Sequence, residues 1–159
     1  MRADVAIETV IPHSGAMLLV GPVVDHRPEF TRCRVDVARS ALFARADGRV
    51  PAWVALEWMA QCVAAHGGLV GHALGLPVRP GLFLGTRGVR LRADDFGADE
   101  SLEVCARHLR GELGLVSFAC RLERPGETEP LAEGNLSVYV VERIEQLLAH
   151  TGAPGEFGE

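Results

Sequence analysis

Glu57 and Gln61 stand four residues apart in an otherwise apolar segment, and this pair is the clearest chemical signal in the sequence. A carboxylate beside residues such as Trp58 and Met59 is costly unless it is paired, hydrogen-bonded or protonated. Burial favours the protonated form that a general acid uses, whereas a place in the first helical turns favours the carboxylate. Two interpretations therefore stay open. Glu57 is a general acid, or it is a structural residue that bonds Gln61 or faces a wet interface.

The histidines are the natural candidates for a base to act with Glu57. His13 follows Pro12 in an apolar N-terminal segment, and we expect its loop to border the helix that carries Glu57. A structural histidine bonded to backbone is the alternative. His66 lies nine residues beyond Glu57, about 13 Å along a helix, so these two cannot form a dyad within one subunit. We expect core or interface positions for His66 and His72, and exposed positions for His26, His108 and His150.

Composition excludes several classes of function. The net charge of −5 argues against a nucleic-acid-binding domain, and the 16 basic residues are all arginine, so no lysine is available for Schiff-base chemistry. No cysteine or histidine spacing indicates a metal site, and no Walker-type glycine loop or nucleophile elbow occurs. Scattered cysteines in apolar surroundings predict buried free thiols: Cys33, Cys62, Cys105 and Cys120.

Length and patterning predict a single domain over residues 1–150, followed by a flexible Gly/Pro/Glu-rich tail at 151–159. Residues 1–9 lack the apolar core of a signal peptide. No uncharged apolar run is long enough to span a membrane. We therefore expect a cytoplasmic protein.

One long helix is predicted over residues 53–74. Pro51 precedes it, and Gly75 and Pro77 follow it, which is the usual placement at helix starts and ends. Its sequence is apolar on nearly every face, and this pattern is typical of a buried helix.

Six strands are predicted around this helix, two before it and four after it. Residues 31–37 alternate T-R-C-R-V-D-V with a period of two, and Gly21-Pro22 indicate a bulge or an edge position in the first strand. Short turns between successive strands imply an antiparallel sheet, so the fold class is α+β, with the sheet curled around the helix. A dimer would cover the helix from a further side. The strands are 16–24, 31–37, 82–92, 100–109, 114–122 and 131–141.

The segment 51–61, P-A-W-V-A-L-E-W-M-A-Q, resembles the central-helix motif of 3-hydroxyacyl-acyl-carrier-protein dehydratases, in which Leu-Glu-x-Met-Ala-Gln is typical. The Ile-Pro-His of residues 11–13, with the Met-Leu-Leu-Val that follows, is similar to that family's N-terminal element. Residues 82–91 are similar to its strand after the helix. The resemblance covers residues 7–142 in order and is nearest to the ApeP-like branch associated with aryl-polyene biosynthesis.

This resemblance implies a hotdog fold, a dimer with the site between subunits, and elimination of water from a 3-hydroxyacyl thioester on acyl carrier protein. A histidine removes a proton at C2, Glu57 protonates the departing hydroxyl, and backbone N–H groups at a helix start polarise the thioester carbonyl. The product is a trans-2-enoyl thioester, and neither a metal nor another cofactor is required. On the same resemblance, Trp53, Gln61 and Gly85 are expected to contact substrate.

The sequence departs from the family pattern where His-Phe-Pro-Gly normally precedes the helix. Residues 42–51 read L-F-A-R-A-D-G-R-V-P and contain no histidine. Either another histidine, with His13 the best candidate, has taken over as base, or this subunit is inactive at its own site and completes that of a partner. A non-catalytic partner of an active paralogue and a thioesterase that uses Glu57 are the competing functions.

Four arginines form a basic cluster after the predicted helix. Acyl carrier proteins are acidic, so this cluster is a candidate docking surface, while a solvated strand face is the alternative. Its members are Arg79, Arg87, Arg90 and Arg92.

Overall fold

A computed structural model describes residues 5–141, and its largest elements are one helix and one six-stranded sheet. The helix α1 spans Ala55–Ala73. The sheet strands are β1 Val20–Arg27, β2 Phe30–Asp36, β4 Gly81–Leu91, β6 Ser101–Glu112, β7 Leu115–Glu123 and β8 Ala132–Val140. Two short strands, β3 Val50–Pro51 and β5 Asp95–Phe96, form a separate pair.

The sheet has the order β1-β2-β6-β7-β8-β4, and every neighbouring pair is antiparallel. Strand β4 follows the helix in sequence yet pairs with β8, so the chain crosses from one edge of the sheet to the other through α1. The helix packs against β1, β2, β6, β7 and β8. The predicted α+β class, with a long helix wrapped by an antiparallel sheet, is confirmed, and it is the hotdog arrangement.

The end of α1 shows why the helix stops where it does. Gly75 takes a left-handed conformation, with φ of 68°. Its N–H donates to the carbonyl of His72, and the N–H of Leu76 donates to that of Gly71. These two bonds form the Schellman pattern and satisfy carbonyl groups of the last turn.

The two sides of α1 differ. One side is buried against the sheet, and its Trp58 indole N–H donates to the Ser40 hydroxyl at 2.9 Å. The other side, which includes Ala60, Ala64 and Gly67, stays partly or fully exposed. The expectation of burial on every face is therefore wrong for this protomer, although the helix has no charged residue besides Glu57.

The N-terminal segment packs against α1 at Gly68. A Cβ atom at Gly68 would lie 1.7 Å from the carbonyl oxygen of Val10. Only glycine allows this approach, because that oxygen belongs to the backbone and cannot rotate away. The contact fixes the segment that leads from Val10 to His13.

Several sequence-based expectations need correction. Residues 15–17 form a short 3-10 helix, with Gly15 at φ 57°, so the first strand begins at Val20 rather than at residue 16. The bulge predicted near Pro22 is confirmed by a register shift between Val20 and Val23. Strands β3 and β5 were not predicted. The domain boundary at 150, the tail at 151–159 and His150 lie outside the described residues.

The four cysteines are buried and free, as predicted. Burial raises the pKa of the Cys105 thiol and the pKa of the Cys120 thiol. It also raises the pKa of the Cys62 thiol well above its ordinary value. Within residues 5–141, no helix combines the length and the apolar character that crossing a bilayer needs.

Candidate active site

A groove runs along the open side of α1 and has a volume of about 490 Å³. Its floor consists of small helix residues at three- and four-residue spacing, which places them on one stripe of the helix. Pro12 and His13 form part of one wall, and side chains of β4, β6, β7 and β8 contribute to the rest. The floor residues are Ala60, Ala64, Gly67 and Gly71.

Glu57 and His13 mark one end of the groove, which is called the near end below. Gln61 holds the Glu57 side chain in place there. The Gln61 side-chain N–H₂ donates to Glu57 Oε1 at 2.8 Å and to the Met17 carbonyl at 2.7 Å. Its oxygen accepts the N–H groups of Leu19 and Val20 at 2.9 and 3.3 Å. These backbone partners fix which way the amide points, because carbonyls cannot donate and N–H groups cannot accept. Glu57 Oε1 is therefore an acceptor, and a proton on this carboxyl group belongs on Oε2.

His13 is the histidine nearest to Glu57 among the described residues. Its Nε2 lies 3.7 Å from Glu57 Oε1, and both side chains are about one-third exposed. The predicted loop beside the helix therefore brings these two candidates together. His13 Nδ1 is buried and has no hydrogen-bond partner within residues 5–141.

The three predicted substrate contacts do not line this groove in the protomer. Gln61 is fully buried, and its amide is used to hold Glu57 and the chain before β1. Trp53 is 55% exposed at the start of the helix and packs edge-on against Phe43. Gly85 lies in β4 at a register shift between Phe83 and its own position. Neither tryptophan blocks the groove.

The start of α1 at Ala55 lies two residues before Glu57 in the chain. Neither the 3-10 turn Ala52–Val54 nor α1 itself has a side chain that caps its first N–H groups. The Ala52 N–H donates to the Asp94 carbonyl at 3.0 Å, and the Ala55 N–H donates to the carbonyls of Ala52 and Trp53. The partial positive charge of a helix start favours an anion or a polarised carbonyl nearby.

The segment 42–51 shows what replaces the missing histidine. Leu42 and Phe43 stand where the family pattern has His-Phe, and Leu42 is 66% exposed. Beyond them, Arg45 and Arg49 both pair with Asp95 of β5. The arginine partners hold the pKa of Asp95 below its ordinary value. The segment is therefore anchored by ion pairs and provides no base.

A second polar cluster lies where His66 and His108 line the groove, and this region is called the far part or far end below. The Thr31 hydroxyl is 2.9 Å from His66 Nδ1 and 2.8 Å from His26 Nδ1, and it links the two rings. His108 stacks near His66, with ring centroids 6.5 Å apart. Phe118 meets both rings edge-on.

These positions correct two expectations. His26 and His108 are half-buried rather than exposed, whereas His72 is exposed rather than buried. His66 is buried, as predicted, and desolvation lowers its pKa to about 4, with a smaller contribution from the neighbouring histidines. His66 is therefore neutral near pH 7. Desolvation also lowers the pKa of His26.

The four arginines of the predicted docking surface differ in their surroundings. Arg79 is exposed and lines the groove. Arg92 donates to Glu133 at 2.8 Å and to the Pro130 carbonyl, and Arg90 lies 4.0 Å from the same glutamate. Arg87 is exposed, and within residues 5–141 it has no ion pair. In the same part of the chain, no three His, Cys, Asp or Glu side chains are arranged to hold a metal ion.

The model of one protein family, ApeP-like, described as ApeP dehydratase, matches residues 5–149 of this chain. A search of the curated proteins finds no match.

Solved structures share this fold. One chain of the dehydratase heterocomplex ApeI:P from Xenorhabdus doucetiae is similar with a TM-score of 0.86 and 24% identity, over 95% of this chain and 100% of that one. Zebra fish thioesterase superfamily member 2 is similar with a TM-score of 0.59 and 12% identity, over 85% and 93% of the two chains. A hypothetical thioesterase of Streptococcus pneumoniae TIGR4, solved with coenzyme A, has a TM-score of 0.54 and 14% identity, over 75% and 84%. At these identities the likeness concerns the fold.

Proposed function

The chain belongs to the ApeP-like dehydratase family, and we propose that it removes water from a 3-hydroxyacyl thioester at Glu57. It is a dehydratase or a dehydratase subunit. The observation that carries the specific proposal is the near end of the groove, where Gln61 fixes Glu57 at 2.8 Å and His13 lies 3.7 Å away. A carboxyl group and an imidazole at the mouth of an apolar groove are the groups that this elimination needs.

The reaction requires two proton transfers on neighbouring carbons. His13 removes the proton from C2, which the thioester makes acidic, and the electron pair forms the C2–C3 double bond. The C3–O bond breaks, and Glu57 gives its Oε2 proton to the departing hydroxyl, which leaves as water. The products are a trans-2-enoyl thioester and water. Exchange with solvent then returns a proton to Glu57 and removes one from His13.

Backbone groups assist the first step. N–H groups of the turn Ala52–Val54, which no side chain caps, would donate to the thioester carbonyl oxygen as negative charge develops on it. The acyl chain beyond C3 would lie along the small residues of the groove floor, Ala60, Ala64 and Gly67, where apolar surface favours it.

The substrate is proposed to arrive on an acyl carrier protein in the cytoplasm. Arg79 and Arg87 are the arginines best placed to bind an acidic carrier, since both are exposed, whereas Arg92 is already paired with Glu133. Trp53, exposed at the helix start, is a candidate contact for the carrier's prosthetic arm.

A second candidate function places this chain in a dimer with a related subunit that provides the base. Two observations favour it: segment 42–51 lacks histidine, and His13 Nδ1 has no acceptor within residues 5–141. A histidine base acts through one nitrogen while the other holds a proton, which needs an acceptor. In this arrangement Glu57 is still the acid, and a histidine of the related subunit is the base. This chain offers no base in return, because Leu42 stands where the family pattern has histidine. The ApeI:P structure is a heterocomplex of this kind of subunit.

The deciding experiment is turnover of a short 3-hydroxyacyl thioester on carrier protein, followed by mass spectrometry. The proteins are wild type, Glu57→Gln, His13→Ala and, as a matched histidine control, His72→Ala. His72 is exposed near the far end of the helix and does not line the groove. Each protein is assayed alone and with a related hotdog subunit as the second protein.

The outcomes separate the two candidates. Loss of one water per chain by wild type alone, abolished in Glu57→Gln and His13→Ala but not in His72→Ala, supports the Glu57–His13 site. Activity only in the presence of the second subunit, lost in Glu57→Gln and kept in His13→Ala, supports the shared site. Release of free thiol without an enoyl product would replace both candidates with a thioesterase.

A further inference from the structure

We propose that the far part of the groove recognises a hydroxyl group on the acyl chain, with His66 as the residue that binds it. This inference rests on the proposed function, since it takes the groove as the place of the acyl chain. It adds the chemical class of the chain: one with a hydroxyl near its far end rather than a plain saturated alkyl chain.

The first argument is the polarity of this part of the groove. A groove for a saturated chain needs only apolar walls, yet His66 and His108 both line it. His66 is almost fully buried, with only 4% of its surface exposed. Its Nδ1 is engaged by Thr31, while its Nε2 has no hydrogen-bond partner among the residues that the structure describes. A methyl-ended chain over His66 Nε2 would exclude water from this nitrogen and leave it without a hydrogen bond, which weakens binding of that chain.

The second argument concerns hydrogen-bond direction. The Thr31 hydroxyl has one proton, so it donates to one ring and accepts from the other. If it donates to His66, then His66 carries its own proton on Nε2. If it donates to His26, then Nε2 of His66 is an acceptor. A hydroxyl group is both donor and acceptor and fits either state, whereas a carboxylate or an ammonium group fits only one.

The third argument is charge. The pKa of His66 is lowered to about 4, so its ring is neutral and favours a neutral ligand group near pH 7. The neighbouring Phe118 and His108 rings provide flat walls rather than a counter-ion. A neutral hydroxyl is therefore the group that this pocket matches.

Distance sets where on the chain the hydroxyl belongs. Nine residues separate Glu57 from His66 on α1, which is about 13 Å along the helix axis. At about 1.2 Å per bond of an extended chain, this span corresponds to roughly ten bonds beyond C3. The hydroxyl is thus expected near the end of a chain of about fourteen carbons.

The test compares two unreactive probes of equal length, the coenzyme A thioesters of tetradecanoic acid and of 13-hydroxytetradecanoic acid. Binding to the full chain is measured by calorimetry. Wild type is expected to bind the hydroxylated probe roughly tenfold more tightly, the range of one hydrogen bond plus the penalty for leaving its partner unpaired. His66→Phe should reduce the preference to less than twofold by strengthening binding of the methyl-ended probe. Thr31→Val, which leaves the groove lining intact, should reduce it partly.

Controls keep the result decisive. His72→Ala should retain the full preference, and His66→Gln, which keeps a hydrogen-bonding group at this position, should retain part of it if His66→Phe does not fold. Equal binding of the two probes by wild type, or a preference that survives in His66→Phe, overturns the inference, as does failure of both probes to bind.

Failure here is distinguishable from failure of the proposed function. The 3-hydroxy forms of both probes are assayed for loss of water in parallel. Dehydration of both at equal rates and equal affinities leaves the catalytic proposal standing and removes this one. A tenfold binding preference without dehydration supports the hydroxyl-binding inference and contradicts the catalytic proposal.

Discussion

Two histidines on the same groove have opposite surroundings. His13 at the near end is about one-third exposed, lies beside the carboxyl group of Glu57, and has a buried Nδ1 without a partner among the described residues. His66 is buried, its Nδ1 is bonded to Thr31, and desolvation lowers its pKa to about 4. The comparison teaches that position along one groove decides what an imidazole can do. The first lies where a substrate and Glu57 can both reach it, and the second is held neutral by burial and suits recognition.

The two ends also differ in how the chain builds them. Glu57 and Gln61 are one turn apart on α1, so helix geometry alone brings them together. The His26–Thr31–His66 link joins β1, β2 and α1, and it depends on the register in which His26 pairs with Thr31. The Glu57–Gln61 pair is therefore local in sequence, whereas the contact of His13 with Glu57 and the His26–Thr31–His66 link exist only in the folded chain.

The largest expected effect is on stability, and it tests how closely the N-terminal segment packs against α1 at Gly68. Gly68→Ala would place a Cβ 1.7 Å from the Val10 carbonyl oxygen, so the segment carrying His13 must move, at a cost of about 4 kcal/mol. Gly67→Ala is the matched control, because a Cβ there meets nothing within 4 Å. It should gain about 0.8 kcal/mol from helix propensity. Urea unfolding measures both, and equal stability of the two variants would contradict the close packing.

The next effect isolates the near end. Gln61→Leu removes the partner of Glu57 and leaves the N–H groups of Leu19 and Val20 and the Met17 carbonyl without their bonds, a loss of about 3 kcal/mol. Dehydration should fall by at least tenfold even where the variant is fully folded, because Glu57 loses its fixed orientation. Chemical denaturation and turnover at low temperature measure the two effects. Retention of full activity would show that Gln61 does not position the acid.

The third effect is the pH dependence of stability, and it tests the lowered pKa of His66. Because the pKa of His66 is lower in the folded state than its usual 6.5, the unfolded chain binds more protons between these values, and stability is lost as pH falls from about 6.5 towards 4. Between pH 7 and 4.5 this residue accounts for about 2 kcal/mol of the loss in wild type. His66→Gln should lose correspondingly less over the same interval. Parallel stability curves for the two proteins would contradict the low pKa.

The smallest effect lies outside both ends and concerns carrier docking. Arg87→Glu should leave stability within about 0.5 kcal/mol, since Arg87 is exposed, and weaken carrier binding about tenfold at low salt. Arg92→Gln is the comparison, because its partner Glu133 already neutralises that charge. The difference between the variants should shrink as salt rises. Equal carrier affinity of wild type and Arg87→Glu would exclude this arginine from the docking surface.

The sequence predicted the local features well. The helix, its end at Gly75 and six strands follow from spacing and pattern. The approach of His13 to Glu57 was expected from the Pro-His element that resembles the family and from the apolar segment around it. Two kinds of feature could not be predicted. The open side of α1 has the same small apolar residues as a buried side, so composition does not distinguish a groove floor from a core. The position of His108 beside His66 depends on how β6 lies across α1, which no short-range pattern encodes.

The chemistry of the cysteines and the absence of lysine have a consequence for a protein that handles activated acyl groups. Thioesters acylate thiolates and amines, so an exposed cysteine or lysine near the groove would capture the acyl chain as a covalent adduct. The sequence has no lysine, and all four thiols are buried; the pKa of Cys62 is raised well above its ordinary value, which keeps this thiol protonated. The side chains of the described residues therefore present no amine and no accessible thiolate to the substrate.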